Sequence, residues 1–364
     1  MAALPRPSRS DDPFFSLRCA IGVTAGLALI EPLALNPGMI LPSMLVSLFC
    51  GQRGPYRPVS SIMTAAILAV LIWTIFGLCV LTQGMPAVQF VALLAVCYGA
   101  LYLLLRTGNQ LGVMVLVFTS MIGVLFGNSR AGAEAMRDAF TVTAVVSALL
   151  IPLLNLLLPP RRDAAPIPPP PPPALERPGL HALLRLAVLA PVLLAFLAGA
   201  PVSGLIFMII VALVLGYPTR DAQRTQGRER ILSTVQGGLV GIVVLVLFTL
   251  QAQFPVLLLL VLLAALWFTE RMVAGPRSAN TYQLGLSVLA VIVSGATLGT
   301  HPLETATTRL LLTIGGAAFG LAALSLLEWA FAPAGRACSG TGQDTPTPQP
   351  SASASASAMP RPSG

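Results

Sequence analysis

The chain predicts an all-α membrane protein, with about twelve transmembrane helices arranged as two parallel six-helix repeats. Hydrophobic residues make up 55% of its 364 positions and charged residues only 9%, against about 25% charged in a typical soluble domain. Apolar runs recur near the ~20 residues that a helix needs to cross a hydrocarbon core of about 30 Å. The third observation is an arginine register. An offset of 167 residues places Arg18 on Arg185, Arg53 on Arg220 and Arg57 on Arg224, and an offset of 172 or 173 places Arg137 on Arg309. The later offset also superposes Gln110-Leu111-Gly112 on Gln283-Leu284-Gly285, and Gly123 to Gly127 on Gly295 to Gly299.

Lipid demands that every backbone amide be paired internally, which leaves helices or closed barrels. The runs are continuously apolar rather than alternating, so they predict helices. Spans are expected at residues 17–35, 38–50, 59–81, 86–105, 110–127 and 138–158 in the first half. The second half supplies 181–199, 202–217, 231–251, 254–272, 282–300 and 308–332. The first run is too long for a signal-peptide core and reads as a retained span. Residues 1–13 form a polar lead, 14–158 the first membrane half, and 159–179 a proline-rich cytoplasmic linker expected to adopt polyproline II. Residues 180–333 form the second half, and 334–364 a polar tail expected to be disordered. Six helices per half make the repeats parallel, related by a pseudo-two-fold axis along the membrane normal.

All 21 basic residues are arginines. With the N-terminus in the cytoplasm, only Arg130, Arg137 and Arg309 fall on the far side, the asymmetry of the positive-inside rule. The predicted topology places both termini in the cytoplasm. The net charge of +8 is then a topology signal and an attraction to anionic lipid heads. Nucleic-acid binding would need a basic soluble module, and none is evident. Without lysine there is neither a Walker A sequence nor a lysine for a Schiff base. The five cysteines are scattered without metal-site spacing. No cofactor, metal or catalytic cluster is expected, and the chain does not read as an enzyme.

Candidate transport residues follow from breaks in the pattern. Segments 38–50 and 202–217 are short, occupy matching positions, and lie beside Asn36, Pro37 and Pro42 in one half and Pro201 and Gly204 in the other. Short Pro/Gly-interrupted segments in corresponding places point to a binding site, although a helical hairpin that thins the bilayer explains them too. Glu31 is the carboxylate expected inside a span, where it would face a cavity, pair or take a proton; close to the interface it would simply be hydrated. Arg137 and Arg309, expected to open the last helix of each half, stand against the charge bias. They could meet a departing organic anion, or pair locally with Asp138 or Glu134 and with Glu304. Arg18 and Arg185 could gather cytoplasmic anions or snorkel to lipid phosphates. Lipid phosphate contact is also the reading for a basic loop carrying Arg220, Arg224, Arg228 and Arg230. Five GxxxG spacings, among them Gly237/Gly241 and Gly316/Gly320, suit close helix packing.

Several stretches carry a family resemblance: LRCAIG at Leu17 to Gly22, LLRLAV at Leu183 to Val188, RERILSTVQGGLVG at Arg228 to Gly241, and RLLLTIGGAAFG at Arg309 to Gly320. Through them the chain resembles the fusaric-acid-resistance-like inner-membrane proteins, relatives of the aromatic acid exporters. The resemblance covers about residues 14–333. It implies a proton-driven exporter of aromatic or other small organic acids, working with a periplasmic membrane-fusion adaptor and an outer-membrane channel. Many members of that family carry a sizeable cytoplasmic domain after a membrane half, where this chain has only the proline linker, as in a short branch of the family. An uncoupled organic-anion channel and a non-transporting scaffold for an adaptor are the alternative readings, and the sequence leaves a homo-oligomer open.

Overall fold

The computed structural model describes residues 12–35, 37, 40–51, 58–109, 111–159, 177–201, 204–217, 220–297 and 302–331. These residues form twelve α-helices: α1 (Phe15–Ala28), α2 (Ile40–Gly51), α3 (Pro58–Leu81), α4 (Pro86–Thr107), α5 (Leu111–Asn128), α6 (Arg130–Leu157), α7 (Pro178–Leu197), α8 (Leu205–Leu215), α9 (Arg220–Leu250), α10 (Phe254–Ala274), α11 (Ala279–Thr297) and α12 (Pro302–Phe331). Most of the linker and the tail, together with Asn36, Arg53, Arg57 and Gln110, lie outside the described residues.

Local chemistry sets several of the boundaries. Proline stands in the first turn of α4, α7 and α10, where its missing N–H costs no helical hydrogen bond. Ser129 caps α6 by accepting a hydrogen bond from the Gly132 amide at 3.1 Å. Gly108 ends α4 at φ 68°, a left-handed cap that glycine adopts without strain.

Nine of the described helices are long and apolar enough to cross a membrane, so the protein is a multi-pass α-helical membrane protein. The remaining three, α1, α2 and α8, have 14, 12 and 11 residues. At 1.5 Å per residue they reach about 16–21 Å, short of a ~30 Å core. The short segments expected at 38–50 and 202–217 therefore form short helices. The span expected at 17–35 does not form as one helix. α1 stops at Ala28 and the chain turns through residues 29–34, with Ala34 at φ 48°. Pro32 disfavours helical backbone in the residue before it and removes a donor, which accounts for the stop.

Three other helices begin earlier than the hydropathy pattern suggests. α6 begins at Arg130, α9 at Arg220 and α12 at Pro302. The stretch expected to be a basic loop is thus the first third of α9, built mostly from the helix formers Gln, Arg, Glu and Ala.

One apolar core runs through most of the molecule, from Phe15 to Leu324. α1 packs on α2 and α10, α7 on α8 and α4, α2 also on α11, and α8 on α5. A small separate cluster of Ile210, Val214 and Ala317, flanked by Ile206 and Leu321, joins α8 to α12. The outer faces carry large apolar side chains in the open, such as Leu149, Leu250 and Leu311 at 69%, 80% and 70% exposure. A surface of that kind suits lipid rather than water.

Candidate functional site

α9, α11, α12 and the short α8 line a partly open cavity of about 160 Å³. Its charged groups are two arginines, Arg230 from α9 and Arg309 from α12. Hydroxyls come from Ser233 and Thr234 on α9, Ser287 on α11 and Thr313 on α12. Ile206, Ile209, Ile210, Leu284 and Val288 complete the wall. Among the described residues no carboxylate lines it.

The helix registers explain how two distant arginines meet. α9 and α11 run parallel and very close: a Cβ on Gly237 would lie 2.2 Å from the Gly285 carbonyl oxygen, and one on Gly241 would touch Ile292 at 3.3 Å. Only glycine at position 237 permits that approach. α9 and α12 run antiparallel, because Gly227 faces Ala317 and Leu321 while Arg230, further along α9, shares the cavity with Thr313 and Arg309. Ser287 and Val288 stand at the middle of the 19-residue α11. The cavity therefore lies at mid-depth of a membrane-spanning helix.

The electrostatics favour an anion. Arg230 Nε is buried without a hydrogen-bond partner among the described residues. The Tyr217 hydroxyl and the Glu229 carboxylate lie close enough to act on Arg230. Glu229 is itself engaged elsewhere, accepting hydrogen bonds from Ser278 Oγ at 2.7 Å and Asn280 Nδ2 at 2.8 Å. Arg309 has no charged partner among the described residues. A guanidinium without a countercharge at membrane depth is costly, and a bound anion would supply Arg309 with the countercharge that the described wall does not. The Ser233 and Thr234 hydroxyls donate to the Arg230 carbonyl, each at 2.8 Å, so Ser287 and Thr313 supply the neutral donors, and the isoleucine wall accommodates an apolar body.

The residues expected to form a transport pathway are dispersed. Glu31 sits exposed in the turn after α1 rather than inside a span. Pro37 is partly exposed in the following turn, and Pro42 is buried in α2 against Gly26. Asn36 is outside the described residues. Arg137 does not open a helix; it is the eighth residue of α6, paired with Asp138 at 2.7 Å. Its guanidinium also lies over the Trp73 and Phe76 rings, 4.3 and 4.5 Å from their centroids. Glu134 pairs instead with Arg130 at 2.8 Å. Arg309, matched to Arg137 by the repeat register, has a different environment altogether.

Arg18 and Arg185 are both buried. Arg18 donates to the Leu158 carbonyl at the end of α6 at 2.9 Å and pairs with Asp12. Arg185 donates to the Leu215 carbonyl at the end of α8 at 2.7 Å. Each meets free carbonyls at a helix C-terminus, where a cation is favourable. Arg230 was hidden in the sequence by its basic neighbours. Its position within a continuous helix, three residues before Ser233 and four before Thr234, is the signal that separates it from Arg224 and Arg228.

Residues 186–323 match the family model described as fusaric acid resistance protein-like. Every cavity-lining residue, from Ile206 to Thr313, falls within that matched stretch. No curated protein and no solved structure matches the chain.

Proposed function

We propose that this protein is an inner-membrane secondary efflux transporter for aromatic or other organic acids, and that it holds the anion between Arg230 and Arg309. The observation that carries this reading is the mid-depth cavity with two guanidiniums, four hydroxyls and, among the described residues, no carboxylate in its wall. Arginine's planar fork suits a carboxylate, the Ser287 and Thr313 hydroxyls add neutral donors, and the aliphatic wall fits an apolar ring or chain. The family match over the same residues supports export as the physiological direction.

Alternating access would come from movement of the two six-helix halves. The reciprocal pairing of α1 with α10 and α7 with α4, and of α2 with α11 and α8 with α5, supports that two-half arrangement. The proton gradient would drive the cycle, and a periplasmic membrane-fusion adaptor with an outer-membrane channel would carry the product onward.

Proteoliposomes loaded with radiolabelled benzoate test the proposal. Benzoate efflux that accelerates under an imposed pH gradient, and that is lost in the Arg230→Gln/Arg309→Gln protein, is the expected result. Equal flux with and without the gradient would assign an uncoupled channel. No flux of benzoate or of other organic acids would leave the scaffold reading.

A further inference from the structure

A second, larger cavity of about 290 Å³ lies on the same pair of helices, on the α9 N-terminal side of the first. Gln223 and Arg224 from α9, with Leu321 and Ser325 among the α12 residues, line it. Along α9 the two cavities are marked by Arg224 and Arg230, six residues or about 9 Å apart. Between them on α9 stands Gly227, where an added Cβ would lie 3.7 Å from Ala317 Cβ and 3.9 Å from a Leu321 methyl. The seam is therefore closed by two small residues and one flexible leucine. The α12 side of the seam is held to α8 by the small apolar cluster of Ile210, Val214 and Ala317, and Leu324 further along α12 joins the main core.

We propose that the seam at Gly227 and Ala317 is the passage joining the Arg230/Arg309 cavity to a second anion station at Gln223, Arg224 and Ser325. It rests on the reading of the deeper cavity as an anion site. An anion held first by the exposed Arg224 moves past Gly227 and reaches Arg230, with a guanidinium at either end of the step. Gln223 is buried at 2% exposure and donates to the Tyr217 carbonyl at 2.9 Å, which fixes the mouth of the route beside the residue that also approaches Arg230.

Two measurements test the passage. In the first, Thr313→Cys places a thiol in the deep cavity of a Cys338→Ser background; Cys19, Cys50, Cys79 and Cys97 are buried. Its reaction with a small anionic methanethiosulfonate is followed in membrane vesicles with Gly, Ala or Leu at position 227. The rate should stay within twofold for Gly227→Ala and fall at least tenfold for Gly227→Leu. An unchanged rate in Gly227→Leu, or no reaction in the Gly227 parent, would overturn the passage. This readout needs no transport, so a failure of the transporter reading shows separately, as absent benzoate binding and flux.

The second uses Gly227→Cys with Ala317→Cys, whose Cβ separation suits a disulfide. The pair is made reduced, so folding is not at issue. Oxidation should abolish benzoate counterflow and reduction should restore it. Cross-linked protein that exchanges benzoate at the reduced rate would overturn the passage.

Discussion

Arg230 on α9 and Arg309 on α12 line one cavity, although their helices run in opposite directions and each residue is the eleventh or eighth of its own helix. The relationship depends on the tight parallel contact of α9 with α11 and the antiparallel seam of α9 with α12. It brings two guanidiniums to one cavity whose described wall carries no carboxylate. The proposed anion site rests on that arrangement.

Single changes should therefore be graded. A hydrogen bond to a charged group contributes about 1.5–3 kcal/mol net, so Arg230→Gln and Arg309→Gln should each weaken benzoate binding about tenfold to a hundredfold. Arg309→Lys should recover only part of the loss, since lysine lacks the planar fork. Isothermal titration of the purified proteins measures these effects.

Arg137→Gln should behave differently from Arg309→Gln. Its guanidinium stacks on Trp73 and pairs with Asp138, so the loss should be about 0.5–1 kcal/mol of stability, with benzoate affinity within twofold of the parent. A tenfold loss of affinity would return Arg137 to the pathway.

Arg185→Met removes a buried charged hydrogen bond to the end of α8. Stability should drop by about 1.5–3 kcal/mol, read as a lower Tm in detergent, while the folded fraction binds benzoate normally. Lost affinity at an unchanged Tm would instead favour a direct role in anion capture.

Gly237→Ala tests the helix contact that shapes the site. The new methyl would meet the Gly285 carbonyl at 2.2 Å, which forces α9 and α11 apart. Overpacking of this kind costs about 1–3 kcal/mol, and the cavity should deform with it. Both Tm and benzoate affinity should decrease, in contrast to Gly238→Ala, where the nearest atom is 3.9 Å away.

Glu31→Gln should leave the pH dependence of flux unchanged, because the carboxylate sits exposed in a turn. A flattened pH profile would show that Glu31 carries the coupling proton.

Much of the architecture was legible because lipid imposes a simple rule on composition and length. Both short helices at matching positions, α2 and α8, were marked by their flanking prolines and glycines. Helix ends outside the apolar windows were less visible. Nothing in hydropathy says that the polar residues 220–230 continue α9, and that continuation carries Arg230 to the cavity. Glu31 was misplaced for the opposite reason: its segment is apolar enough for a span, but Pro32 and the left-handed Ala34 interrupt it. The register also paired Arg137 with Arg309, yet position in a repeat does not fix environment. Trp73 and Asp138 occupy Arg137, whereas Arg309 faces hydroxyls across a cavity.

The most direct measurement is equilibrium binding of radiolabelled benzoate to the purified protein in detergent, with and without the two cavity arginines. The intact protein should bind saturably, in competition with other organic acids and not with amines, and the Arg230→Gln/Arg309→Gln protein should lose at least a hundredfold in affinity while keeping its Tm within a few degrees. Equal binding by the two proteins would contradict the assignment of this cavity as the anion site.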